Sequence, residues 1–97
     1  MDDIPIYPFT LEDLGKFPNA GDDIFFRRAI EMIDIGFNAG MDKITLFKII
    51  EEESELFLNL PATSWVDTLK DSITYFESTE EYEECAYAKI VLERITQ

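Results

Sequence analysis

The feature that most constrains this fold is an apolar stripe within residues 22–40. Phe26, Ala29, Ile30, Ile33 and Phe37 recur at three- and four-residue spacing. At 3.6 residues per turn that spacing gathers them on one face of a helix. Pro18, Asn19 and Gly21 break the chain upstream. Asp22 and Asp23 suit the positive end of the helix dipole, and Gly40 suits a left-handed residue closing the helix. Phe25, Met32 and Gly36 flank the stripe and widen the apolar face. A face this wide calls for more than one packing neighbour, as core or as a seam between copies.

The remaining segments read as further helices. Asp42 can cap a helix over about 43–54, with Leu46, Phe47 and Ile50 inward and Glu51, Glu52, Glu53 and Glu55 solvated. Residues 56–60 either extend that helix or form a short β-like segment, and Pro61 ends either one. Ser64 with Asp67, and Ser78 with Glu81, have capping-box spacing. Trp65 or Val66, Leu69, Ile73 and Phe76 form the stripe of one C-terminal helix. Tyr82, Cys85, Ala88, Leu92 and Ile95 form that of the other, about 80–95, where Ala86 leaves room for close approach. Pro5 and Pro8 make residues 1–9 an extended arm. Its Ile4, Ile6, Tyr7 and Phe9 either pack across the protein's own helices or present a partner-binding strand. Thr10 with Asp13 starts a short helix whose Leu11 and Leu14 face inward. No Asn-Gly or Asp-Gly hairpin signal occurs. The expected fold is all-α: one domain, with the arm at 1–9, N-terminal helices over 10–62 and an antiparallel helical hairpin over 63–97. It is a four- or five-helix bundle.

Charge and residue types narrow the function. The 97 residues carry 21 acidic and 8 basic side chains, a net charge of −13. Such a field opposes contact with phosphate backbones and anionic membranes, and it favours encounter with basic surfaces. There is no histidine, which removes His-activated nucleophiles and histidine metal sites. The single Cys85 lies on an apolar stripe and reads as a small buried hydrophobe. The four glycines fit no phosphate loop, and the glutamate runs lack the alternation and central glycine of a calcium loop. These observations point to a non-enzymatic protein without cofactor or metal. The Met1-Asp2-Asp3 start is unlike a signal peptide, and a soluble cytoplasmic protein is expected.

Two stretches carry family resemblances. Residues 35–49, with Gly36 at a helix crossing, Gly40 before Met41 in a turn, and Leu46 and Ile49 inward, are similar to the helix-turn-helix of bacterial transcription regulators. The acidic run that follows argues against DNA reading, which needs a basic second helix. Residues 69–95, with Leu69, Phe76, Tyr82-Glu83, Cys85-Ala86, Lys89 and Leu92, resemble the UVR motif, a helical hairpin of excision-repair and stress-response proteins. Ile90 stands where that family has an acidic residue. The resemblance implies a hairpin that mediates protein–protein contact.

The expected function is a small acidic adaptor, regulator or inhibitor that docks on a larger, basic protein surface. The alternatives are an inhibitor mimicking nucleic acid and a structural subunit of an assembly. The candidate partner-binding residues are the aromatics Tyr7, Phe9, Tyr75 and Tyr87, taken as surface anchors, and the acidic Glu51, Glu52, Glu53, Glu80, Glu81 and Glu84.

Overall fold

The computed structural model describes residues 4–8 and 21–97. The short helix expected from Thr10, and Phe9, Leu11 and Leu14, lie outside the described residues. The described elements are α1 (Asp22–Asn38), β1 (Lys43–Glu51), β2 (Ser54–Pro61), a single 3-10 turn (Ala62–Ser64), α2 (Trp65–Ser78) and α3 (Tyr82–Ile95). The fold is therefore α+β, and the expectation of an all-α four- or five-helix bundle is corrected.

Helix α1 forms where its stripe and its flanking signals place it. Phe26, Ala29, Ile30 and Ile33 are buried within this chain, so the stripe is core rather than a seam between copies. Phe37 at its end is partly exposed. Gly40 adopts φ 72°. The Met41 N–H donates to the Gly36 carbonyl and the Gly40 N–H to the Phe37 carbonyl, which is the Schellman pattern that satisfies the last carbonyls of a helix.

Residues 43–54, expected as a helix, instead form a strand and the start of a second, and residues 56–60 take the β alternative of their two expected conformations. Lys43–Glu51 and Ser54–Pro61 pair antiparallel, in a register that runs from Lys43↔Pro61 to Glu51↔Ser54. β1 is rich in β-branched and aromatic residues, which suit a half-buried pleated surface. Its register shifts between Thr45 and Phe47, so Leu46 is the extra residue of a β-bulge. The bulge turns Ile44, Leu46, Phe47 and Ile49 all toward the core. Inward positions at 44, 46, 47 and 49 imitate helical spacing, which is why periodicity alone misreads the segment. Ile50, expected inward, faces solvent. With a strand after Gly40 there is no helix-turn-helix pair. Gly36 instead makes room for the sheet, since a Cβ there would lie 2.6 Å from the Ile44 Cγ2.

The arm adds to the other edge of β1. Ile6 bridges Lys48 in parallel: the Tyr7 N–H donates to the Lys48 carbonyl at 2.8 Å, and the Lys48 N–H donates to the Pro5 carbonyl at 2.8 Å. Tyr7 turns inward and meets Phe47 edge-on, with ring centroids 5.2 Å apart.

Helices α2 and α3 form the expected antiparallel hairpin. Trp65, Leu69, Ser72 and Phe76 on α2 and Cys85, Ala88 and Val91 on α3 are buried. The small Ser72, Cys85 and Ala88 allow close approach, and the Cys85 thiol donates to the Ile73 carbonyl at 3.4 Å. Ala86 and Tyr82, both placed at the helix contact by the sequence, are exposed. Neither expected capping box forms: the Ser64 hydroxyl donates to the Pro61 carbonyl and that of Ser78 to the Tyr75 carbonyl.

Candidate interaction surface

The chain reverses after Gly40, so β1 runs back along α1. Gly36 faces Ile44, while the Arg28 Nε donates to the carbonyl of the bulge residue Leu46 at 3.1 Å. Residue numbers thus rise along β1 as they fall along α1. The β-hairpin tip therefore points toward the end where α1 begins. The α2–α3 turn lies at that end as well, because Arg27 on α1 reaches Glu81 and Glu84. The two acidic clusters singled out in the sequence are brought to one end of the molecule.

Their electrostatic surroundings differ. Arg27 sits among three carboxylates: Asp23 at 2.7 Å, Glu84 at 3.2 Å and Glu81 at 3.5 Å. Its guanidinium carbon also stands 5.2 Å from the centre of the Phe76 ring, within cation–π range. The hydrogen bond to Asp23 raises the arginine above its ordinary pKa; partial burial opposes this, and the fields of Asp23, Glu84 and Glu81 add to it. Lys89 pairs with Glu77 on the facing helix at 3.8 Å. At the β-hairpin tip, Glu51, Glu52, Glu53 and Glu55 are all exposed, and among the described residues no cation lies within ion-pair distance of them.

The hairpin tip is also apolar. Ile50 is 49% exposed and Phe57 51% exposed, and Ile6 on the arm is 57% exposed. Ile6 pairs with Lys48, and Lys48 pairs with Phe57. Side chains directly across a sheet share a face, so Ile6, Lys48 and Phe57 form a row on the face away from the helices. The turn itself is tight. Glu52 and Glu53 have φ 47° and 68°, the double left-handed geometry of a type I′ turn that normally selects Asn-Gly.

The aromatic candidates are placed differently from the acidic ones. Tyr7 is buried in the core, which corrects its reading as a surface anchor. Tyr75 is half-buried between Phe26 and Phe76, with centroids at 5.3 and 5.0 Å; burial, then the charges of Asp23 and Asp22, push its phenol up. Tyr87 is half-buried and donates to Asp34 at 2.9 Å. Burial first, then that hydrogen bond, push its phenol up to about 12. Arg94 pairs with the same carboxylate. Tyr75 and Tyr87 thus serve internal packing, while Ile50 and Phe57 are exposed apolar residues of the hairpin that the sequence did not single out as anchors, and Ile6, one of the arm residues weighed for partner binding, is exposed beside them. The alternation of Leu56, Leu58 and Leu60 was the available signal, since it sends Phe57 outward.

At the opposite end Phe37, Met41, Ala62, Trp65, Val66 and Ile95 line a shallow groove of about 350 Å³. It holds no titratable side chain. Among the described residues no group of three or more His, Cys, Asp or Glu side chains converges to hold a metal ion, and no helix is long and apolar enough to cross a membrane. No family model matches the chain, and comparison with curated proteins and with solved structures finds no match.

Proposed function

We propose that this protein is a small acidic docking module that binds a basic surface on a larger protein, as an adaptor, regulator or inhibitor. One observation carries the reading: the outer half of the β-hairpin exposes Ile50 and Phe57 beside four glutamates that have no internal counter-ion among the described residues. Apolar groups supply the contact energy of an interface, and unpaired charge sets partner choice and encounter rate. Charges already matched inside the protein do neither.

The test is recovery of partners from the native host by the full chain and by Glu52→Lys/Glu53→Lys. It is run at low salt and at about 1 M, where screening shortens to about 3 Å. The expected result is a basic protein held by the parent at low salt, lost on raising salt and lost with the variant. A partner held equally by parent and variant, at either salt, contradicts the proposal. Displacement of that partner by duplex DNA would favour nucleic-acid mimicry as the form of inhibition.

A further inference from the structure

Among the described residues β1 is covered on both edges, by β2 and by the arm, whereas β2 is covered on one. The direction of its backbone groups follows from the hydrogen bonds of the arm. Both polar backbone groups of Lys48 are engaged by the arm, its N–H with Pro5 and its carbonyl with Tyr7. They therefore point away from β2. Lys48 lies opposite Phe57, so the two form a pair without mutual hydrogen bonds. Such pairs alternate with hydrogen-bonded ones along an antiparallel ladder. It follows that the N–H and carbonyl of Phe57, and of Glu55 and Asn59 two residues to either side, face outward from the sheet. The turn gives the same phase, because a two-residue turn is closed by a hydrogen-bonded pair, here Glu51↔Ser54. No backbone hydrogen bond from Glu55, Phe57 or Asn59 to any element beyond the hairpin is present among the described residues.

An open edge with exposed apolar side chains is a template for another strand. We infer that the β2 edge accepts an extended, lysine- or arginine-bearing segment of the partner as a third antiparallel or parallel neighbour of the hairpin. This inference rests on the docking function proposed above and supplies its binding mode. The backbone of Glu55, Phe57 and Asn59 gives the hydrogen bonds, and Phe57 gives apolar contact. Glu51, Glu52, Glu53 and Glu55 select a cationic strand. The same glutamates disfavour a second copy, because each chain carries −13 and like charges across an interface are repelled. The edge is thereby closed to self-pairing and open to basic segments.

The test uses the isotopically labelled full chain and two probes. The first is a blocked peptide of about eight alternating lysines and valines, long enough to match β2. The second carries the same side chains on an N-substituted glycine backbone, which has no N–H donor. The peptide should slow amide hydrogen exchange at Glu55, Phe57 and Asn59 by about tenfold or more, while the N-substituted oligomer changes it by less than about twofold. Phe57→Pro removes only an N–H that faces outward, so the hairpin ladder persists; it should bind the peptide more weakly than Phe57→Ala does. Equal binding of the two probes, or of the two variants, overturns strand addition, and charge-driven docking survives if Glu52→Lys/Glu53→Lys still weakens both probes. Absence of any response to the peptide overturns both readings. Protection of these amides before any probe is added, with a dimeric mass by light scattering, would assign the edge to a second copy and overturn the inference.

Discussion

The turn between α2 and α3 and the turn between β1 and β2 are made of the same material and use it differently. Each reverses the chain through glutamate, and each forces glutamate into the left-handed region: Glu80 at φ 60° in the first, Glu52 and Glu53 in the second. The helical turn closes as a Schellman motif, in which the Glu81 N–H donates to the Phe76 carbonyl at 2.9 Å and the Glu80 N–H to that of Glu77 at 3.3 Å. Arg27 then matches its charge from α1. Among the described residues the β turn has no cation within ion-pair distance. A net charge of −13 is therefore not one surface property. Part of it is matched within the fold, and the part at the β-hairpin tip has no matching cation among the described residues, which is the part we propose meets a partner.

Truncating one aromatic beside each turn gives the largest contrast. Phe76 is fully buried beneath Arg27, and Phe76→Ala should cost about 3–5 kcal/mol in chemical denaturation. Phe57→Ala, at an exposed site, should cost less than about 1 kcal/mol. Similar losses at the two positions would mean that the β-hairpin is packed rather than free-standing.

The left-handed glutamates give the next largest effect, with the opposite sign. An L-residue in this conformation costs about 1–2 kcal/mol. Glu52→Asn/Glu53→Gly supplies the residues a type I′ turn prefers and should raise stability by about 1–2 kcal/mol. Glu80→Gly should raise it by about 1 kcal/mol or less, since glycine also loses more freedom on folding. A fall in stability for the double substitution would refute the turn geometry.

The smallest effect comes from Asp34, a further carboxylate matched internally, by Arg94 and Tyr87. The Tyr87 phenol lies at about 12 in the fold against an ordinary 10.0. The unfolded chain then releases this proton first as pH rises, so the contribution is complete below 10 and is lost as pH rises toward about 12. Unfolding midpoints measured from about pH 9 to about pH 12 should fall more steeply for the parent than for Tyr87→Phe. Parallel curves would remove Tyr87 from the account.

The sequence exposes the helical half of the molecule more fully than the β half, for physical reasons. α1, α2 and α3 follow unbroken helical periodicity, and Gly40 marks its turn plainly. β1 hides its period of two behind the bulge at Leu46, and its turn is Glu52-Glu53 where Asn-Gly is the readable signal. The acidic candidates at the site are legible because exposed charge follows from composition. The apolar ones are not, because Phe57 and Ile50 are outward only once the register is known, and Tyr7 is inward only because the arm pairs with β1.

The most direct measurement is a binding titration of the lysine–valine peptide against two charge-neutralised proteins. One is Glu52→Gln/Glu53→Gln at the β turn, the other Glu81→Gln/Glu84→Gln beside Arg27. Removing the unmatched pair should weaken binding about fivefold or more, and removing the matched pair should change it by less than about twofold. Equal losses, or the larger loss from Glu81 and Glu84, would contradict the claim that the two acidic turns divide their charge between the fold and a partner.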